Sequence, residues 1–73
     1  MYRNPHQMKQ AQGFNDLSDR EKEYFFEMMF DINQDILFPF EDYVSAVVEP
    51  LDNSLIVKLI MVSGKIKKYQ RIR

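Results

Sequence analysis

The 73-residue chain has no cysteine and no tryptophan, a single histidine, two glycines and three prolines. Without cysteine there are no disulfides, no thiolate nucleophile and no cysteine-type zinc site. His6 stands alone in a polar segment, so no Ser-His or Cys-His pair can be assembled on a rigid scaffold. Gly13 and Gly64 are too far apart to build a phosphate-cradling glycine loop. No apolar run approaches the roughly 18 residues of a membrane span, and the opening MYRNPHQMKQAQG has no apolar core of the kind a secretory signal carries. These features lead to the expectation of a non-enzymatic cytoplasmic protein with no cofactor, no bound metal, no small-molecule substrate and no membrane contact.

What is present is one small domain's worth of chain, 45% hydrophobic and 29% charged. A chain of this length buries only about 60% of its unfolded surface, so association with a partner or with itself is a common supplement to the core. The net charge of −1 conceals a segregation. Residues 1–15 carry Arg3 and Lys9 and no acid. Residues 16–53 hold all eleven acids against Arg20 and Lys22, and residues 54–73 hold six cations and no acid. Such a chain can match its charges internally, across a homodimer, or against two different partners.

Residues 1–15 are polar and show neither helical nor strand periodicity, and they read as a flexible N-terminal arm preceding a single domain at 16–73. At Ser18-Asp19-Arg20-Glu21 a capping box announces a helix: each of the two outer side chains can satisfy a free backbone N–H of the first turn. Good helix formers carry it to about Ile36, and Phe38-Pro39 stops it because the residue before proline is driven out of the α region. From Asp42 onward β-branched residues dominate, divided by Asp52-Asn53 and Ser63-Gly64 into Tyr43 to Leu51, Leu55 to Val62 and Lys65 to Arg73. Asp-Asn tolerates the positive φ angles of a type I′ turn and Ser-Gly supplies a glycine, so two tight hairpins are expected. The fold class is α+β, one helix packed on a three-stranded antiparallel meander, αβββ. The central run from Leu55 to Val62 is apolar on both faces apart from Lys58, which requires a cover on the side away from the helix.

At about 100° per residue, Leu17, Tyr24, Phe25, Met28, Ile32 and Ile36 share one face of the helix. Phe26, Phe30 and Leu37 lie opposite, where a helix resting on a sheet should be polar. Either the arm or the Phe38-Pro39-Phe40 segment folds over them, or they meet another chain. Asp19, Glu23, Glu27, Asp31 and Asp35 recur every four residues. Like charges at this spacing repel by a few tenths of a kcal/mol per pair unless a cation answers. A solvated face is the ordinary outcome; a docking surface for a basic partner is the functional one. With Phe26 and Phe30 as apolar anchors, this stripe suggests a protein-protein interaction module that regulates or inhibits a larger protein.

Asp31, Asn33 and Asp35 imitate the start of a calcium loop, but Ile36 stands where glycine is needed and Asp42 where a glutamate is needed, so a helix end is preferred. On the last strand, Lys65, Lys67, Tyr69, Arg71 and Arg73 alternate onto one face, with Lys68 on the other. Cations around an exposed tyrosine would suit single-stranded nucleic acid, which is the alternative function. Lysine on an edge strand also guards against aggregation, and the acidic middle of the chain would repel phosphates. A third possibility is a structural subunit joined to an assembly by its strand edge.

Overall fold

The computed structural model describes residues 5–35 and 43–72. A one-turn helix α1 (Pro5–Met8) and a 3-10 turn (Phe14–Asp16) precede the long helix α2 (Asp19–Asp35). Three strands follow, β1 (Tyr43–Leu51), β2 (Ser54–Met61) and β3 (Ile66–Ile72), paired antiparallel in the order β1-β2-β3. The αβββ arrangement expected from the sequence is therefore the architecture observed.

The capping box forms in both directions. The Ser18 N–H donates to Glu21 Oε1 at 2.8 Å and the Glu21 N–H donates to Ser18 Oγ at 3.2 Å, which closes the N-terminal turn of α2. Phe25, Met28 and Ile32 of α2, with Leu17 just before it, join the buried cluster. That cluster takes in Ala46 and Val48 of β1 and Leu55, Val57, Leu59 and Met61 of β2. The register pairs Ala46 with Leu59 and Val48 with Val57, so these alternate residues share the helix-facing side of the sheet. Met29, which the helical stripe left out, is also fully buried. The helix end expected at Phe38-Pro39, and Ile36 and Leu37, lie outside the described residues.

Both hairpins form. Asp52 takes φ 53°, in the left-handed region, while Asn53 does not, so the tight turn is not the complete type I′ expected from Asp-Asn. In the second hairpin the Gly64 N–H donates to the Met61 carbonyl at 2.9 Å, and Gly64 takes φ 91°. The Met61 N–H then donates to the Lys65 carbonyl at 2.8 Å, closing a three-residue loop that ends on a left-handed glycine. At the same end of the sheet, where Tyr43 pairs with Met61, the register slips between Tyr43 and Ser45, leaving Val44 as the extra residue. This bulge reverses the alternation, turning Tyr43 into the core, where its hydroxyl donates to Asn33 Oδ1 of α2 at 2.8 Å.

Within the segment expected to be a flexible arm, residues 1–15, the described part packs into the fold. Met8, Ala11, Phe14 and Leu17 are all buried. Three successive turns link them, the amides of Ala11, Phe14 and Leu17 each donating to the carbonyl three residues earlier at 3.1 Å. A repeat of three residues places every third side chain on one side. Between these turns Gln12 pairs with β1: its N–H donates to the Ala46 carbonyl at 3.0 Å and its carbonyl accepts from the Val48 N–H at 2.8 Å. The outer edge of β1 is thus capped by a single residue of the chain's own N-terminal segment.

The passage past β1 is close. A Cβ on Gly13 would lie 2.2 Å from the Val48 carbonyl oxygen, and Gly13 holds φ 91°. Only glycine allows both the left-handed turn and the approach.

Candidate functional site

Two surfaces carry the residues singled out by the sequence. The first is the face of α2 turned away from the sheet, where Asp19, Glu23, Glu27 and Asp31 are exposed. Asp35 is the last residue of α2, and its side chain lies outside the described residues. The two expected anchors part company. Phe26 is half-buried and packs on the core, its ring 5.5 Å from that of Phe14 and 6.1 Å from that of Phe25. The Lys22 ammonium sits 5.3 Å over the Phe14 ring and adds a cation-π contact to the group. Phe26 is therefore covered by the N-terminal segment, one of the two covers the sequence left open. Phe30 remains 46% exposed. It stands one turn after Glu27 and two after Glu23, an aromatic ring among acids.

The acid stripe is answered at Asp31 by a cation of β3. Arg71 Nη2 donates to Asp31 Oδ2 at 2.6 Å, joining β3 to α2, with both side chains still substantially exposed. Asp31 through Asp35 continue the helix, so the backbone there is not the loop a calcium site needs, and Asn33 Oδ1 already accepts from Tyr43. Among the described residues, no group of three His, Cys, Asp or Glu side chains is placed to hold a metal ion.

The second surface is β3. Tyr69 pairs with Val57, Lys67 with Leu59 and Arg71 with Leu55, which places all three on the side facing α2. The ring of Tyr69 is half-buried and packs against the core, so it is not the exposed stacking platform expected. The reason is the register: the face carrying tyrosine and alternate cations is the face the helix needs. Lys65 and Lys68 are exposed, Lys67 is half-buried, and Arg73 lies outside the described residues. Between α2 and β3 a narrow cleft of about 120 Å³ is lined by Met28, Asp31, Ile32, Tyr69, Gln70 and Arg71.

The far side of the sheet is mixed. Ile66 and Ile72 are 66% and 72% exposed and Leu51 is exposed, while Ile56 is buried between its cross-strand neighbours Glu49 and Gln70. Lys58 pairs across the ladder with Lys68 and reaches Glu49 Oε1 at 3.3 Å.

An open cleft of about 470 Å³ lies between the first turn of α2 and the β1-β2 turn, lined by Ser18, Arg20, Glu21, Tyr24, Asp52 and Asn53. Ser18 and Glu21 there are committed to the capping box.

The residues that sequence reasoning missed are Gln12 and Gly13, with Met8, Ala11 and Phe14 beside them. Their signal was present as the spacing of three from Met8 to Leu17, a period that neither a helix nor a strand template detects.

The chain matches no protein-family model, no curated protein and no solved structure. No helix among the described residues is long and apolar enough to cross a membrane. The protein is a small α+β domain of αβββ order.

Proposed function

We propose that this protein is a small non-enzymatic interaction module that regulates or inhibits a larger protein by docking the outer face of α2 on a basic, partly apolar surface. The observation that carries this is Phe30, 46% exposed on the acidic side of the helix while Phe26, four residues earlier, is covered. An exposed aromatic side chain with Glu27 and Glu23 one and two turns before it supplies both parts of an interface: a desolvated anchor and an electrostatic rim that selects the partner. Asp19, Glu23 and Glu27 form the rim; Asp31 contributes less because Arg71 already answers it.

Two copies would not meet through this face, since acids would oppose acids. The homodimer that belongs to this proposal uses the far side of the sheet, where Leu51, Ile66 and Ile72 are exposed. A cytoplasmic setting is retained on the strength of the composition. The nucleic-acid alternative has less to stand on, because Tyr69 is turned toward α2 and Arg71 is engaged by Asp31.

The test compares captured partners for the wild type, Phe30→Ser and Glu23→Lys/Glu27→Lys, each shown by circular dichroism to keep its fold. A partner bound directly by the purified wild type and lost by both variants supports the acid face. Retention of every partner by both variants removes it. Sedimentation velocity of the wild type against Ile66→Ser/Ile72→Ser tests the homodimer in the same way.

A further inference from the structure

The two edges of the sheet are treated differently. The edge of β1 is closed by Gln12, a contact that requires a glycine next to it; the edge of β3 has no partner among the described residues. The phase of the ladder says which groups this leaves open. The Met61 N–H donates to the Lys65 carbonyl, and antiparallel pairs alternate between bonded and non-bonded, so Lys67, Tyr69 and Arg71 direct their backbone groups toward β2. Ile66, Lys68, Gln70 and Ile72 direct theirs outward. A ready row of donors and acceptors runs the length of β3.

We infer that this edge is a binding groove for an extended acidic segment of another protein, which adds to the sheet as a fourth, antiparallel strand. Main-chain hydrogen bonds to alternate residues would hold such a strand, and side-chain positions would select it. On the helix side, the residue opposite Tyr69 lies by the cleft of about 120 Å³, where Met28, Ile32 and Tyr69 offer apolar contact to one aliphatic side chain and Asp31, Gln70 and Arg71 complete the lining. On the far side, the residues opposite Ile66 and Ile72 meet two isoleucines that are otherwise exposed. The residue opposite Lys68 meets an exposed cation whose ladder neighbour Lys58 is already paired with Glu49, so an added carboxylate there would answer Lys68 itself.

Charge favours an acidic strand over a second copy. In the register centred on Tyr69, antiparallel pairing of two β3 strands would set the cationic residues Lys67 and Arg71 opposite each other twice, whereas an acidic strand brings carboxylates to Lys65 and Lys68.

The experiment uses the full chain and a labelled peptide, acetyl-Val-Thr-Thr-Leu-Glu-Thr-Val-Glu-amide, whose leucine falls opposite Tyr69 and whose glutamates fall opposite Lys68 and Lys65. Fluorescence anisotropy should show saturable binding that weakens with salt. Replacing the leucine by aspartate in the peptide should weaken it, and Lys68→Glu in the protein should weaken it roughly five- to tenfold. Hydrogen exchange supplies the signature that a loose electrostatic contact would lack. On binding, the amides of Ile66, Lys68, Gln70 and Ile72 gain protection, while those of Lys67, Tyr69 and Arg71, already bonded to β2, change little. Methylating the peptide nitrogens that face β3 abolishes binding.

No saturable binding up to the solubility limit overturns the proposal and leaves the lysines as guards of the edge. So does binding without the alternating protection, or protection that rises with protein concentration in the absence of peptide, which would mean that a second copy takes the edge. The groove is separate from the outer face of α2, so Phe30→Ser should bind the peptide like the wild type, and either surface can fail without the other.

Discussion

The α-carbon of Gly13 lies so close to Val48 that a methyl group added to it would fall 2.2 Å from the Val48 carbonyl oxygen. This close passage ties the N-terminal segment to the edge of the sheet.

The two glycines provide an internal comparison, because both hold φ 91° while nothing lies within 4 Å of a Cβ placed on Gly64. Gly64→Ala meets only the left-handed strain, about 1 kcal/mol, and should lower Tm by roughly 4–8 °C. Gly13→Ala meets the same strain and the backbone clash, and should lower Tm at least twice as far. Equal losses in thermal denaturation would show that the segment yields at no cost and that the bridge to β1 is loose.

Three phenylalanines distinguish buried from presented surface on one folded unit. Phe14→Ala should cost about 3–5 kcal/mol, since it opens a cavity beside Phe25 and Phe26. It should also speed hydrogen exchange at the Val48 amide, which depends on Gln12 staying in place. Phe25→Ala should fall in the same range. Phe30→Ala, being half exposed, should shift stability by no more than about 0.5 kcal/mol in urea unfolding. A large loss at Phe30 would make that ring a structural element and remove it from the interface.

The Arg71–Asp31 pair joins strand to helix at 2.6 Å but stays exposed to water. A double-mutant cycle with Arg71→Met and Asp31→Asn should return a coupling of about 0.2–1 kcal/mol, and 1 M salt should erase most of it. A coupling that survives salt would mean that the pair is shielded.

Tyr43→Phe removes the donor to Asn33 while keeping the ring in the core, and should destabilise by about 1 kcal/mol. No change would mean that the hydroxyl contributes nothing to fixing the helix over the bulged end of β1.

Much of this fold was legible from local chemistry. Ser18 and Glu21 announced their own hydrogen bonds, and the two turns fixed each strand to within about a residue because turn residues act on their immediate neighbours. The role of residues 5–17 was hidden because their period of three belongs to linked turns, and because the bridge from Gln12 to Val47 spans a separation that no local pattern encodes. The acid stripe was correctly placed on the helix surface, but its quenching by Arg71 and the covering of Phe26 by Phe14 are tertiary events. Tyr69 shows the converse limit. Alternation identified its companions, and only the pairing with β2 decided which way that face would turn.

The residue that caps β1 also sets how many copies can grow from one another. A three-stranded sheet with both edges free is a bifunctional unit and can propagate in two directions, as a monomer does in chain polymerisation. With Gln12 seated on Ala46 and Val48 the unit is monofunctional, so any strand-to-strand association ends after a single addition. Cleavage just before Leu17 would restore the second reactive end, converting a chain terminator into a chain propagator, and fibrous aggregates instead of discrete complexes are what such a fragment would form.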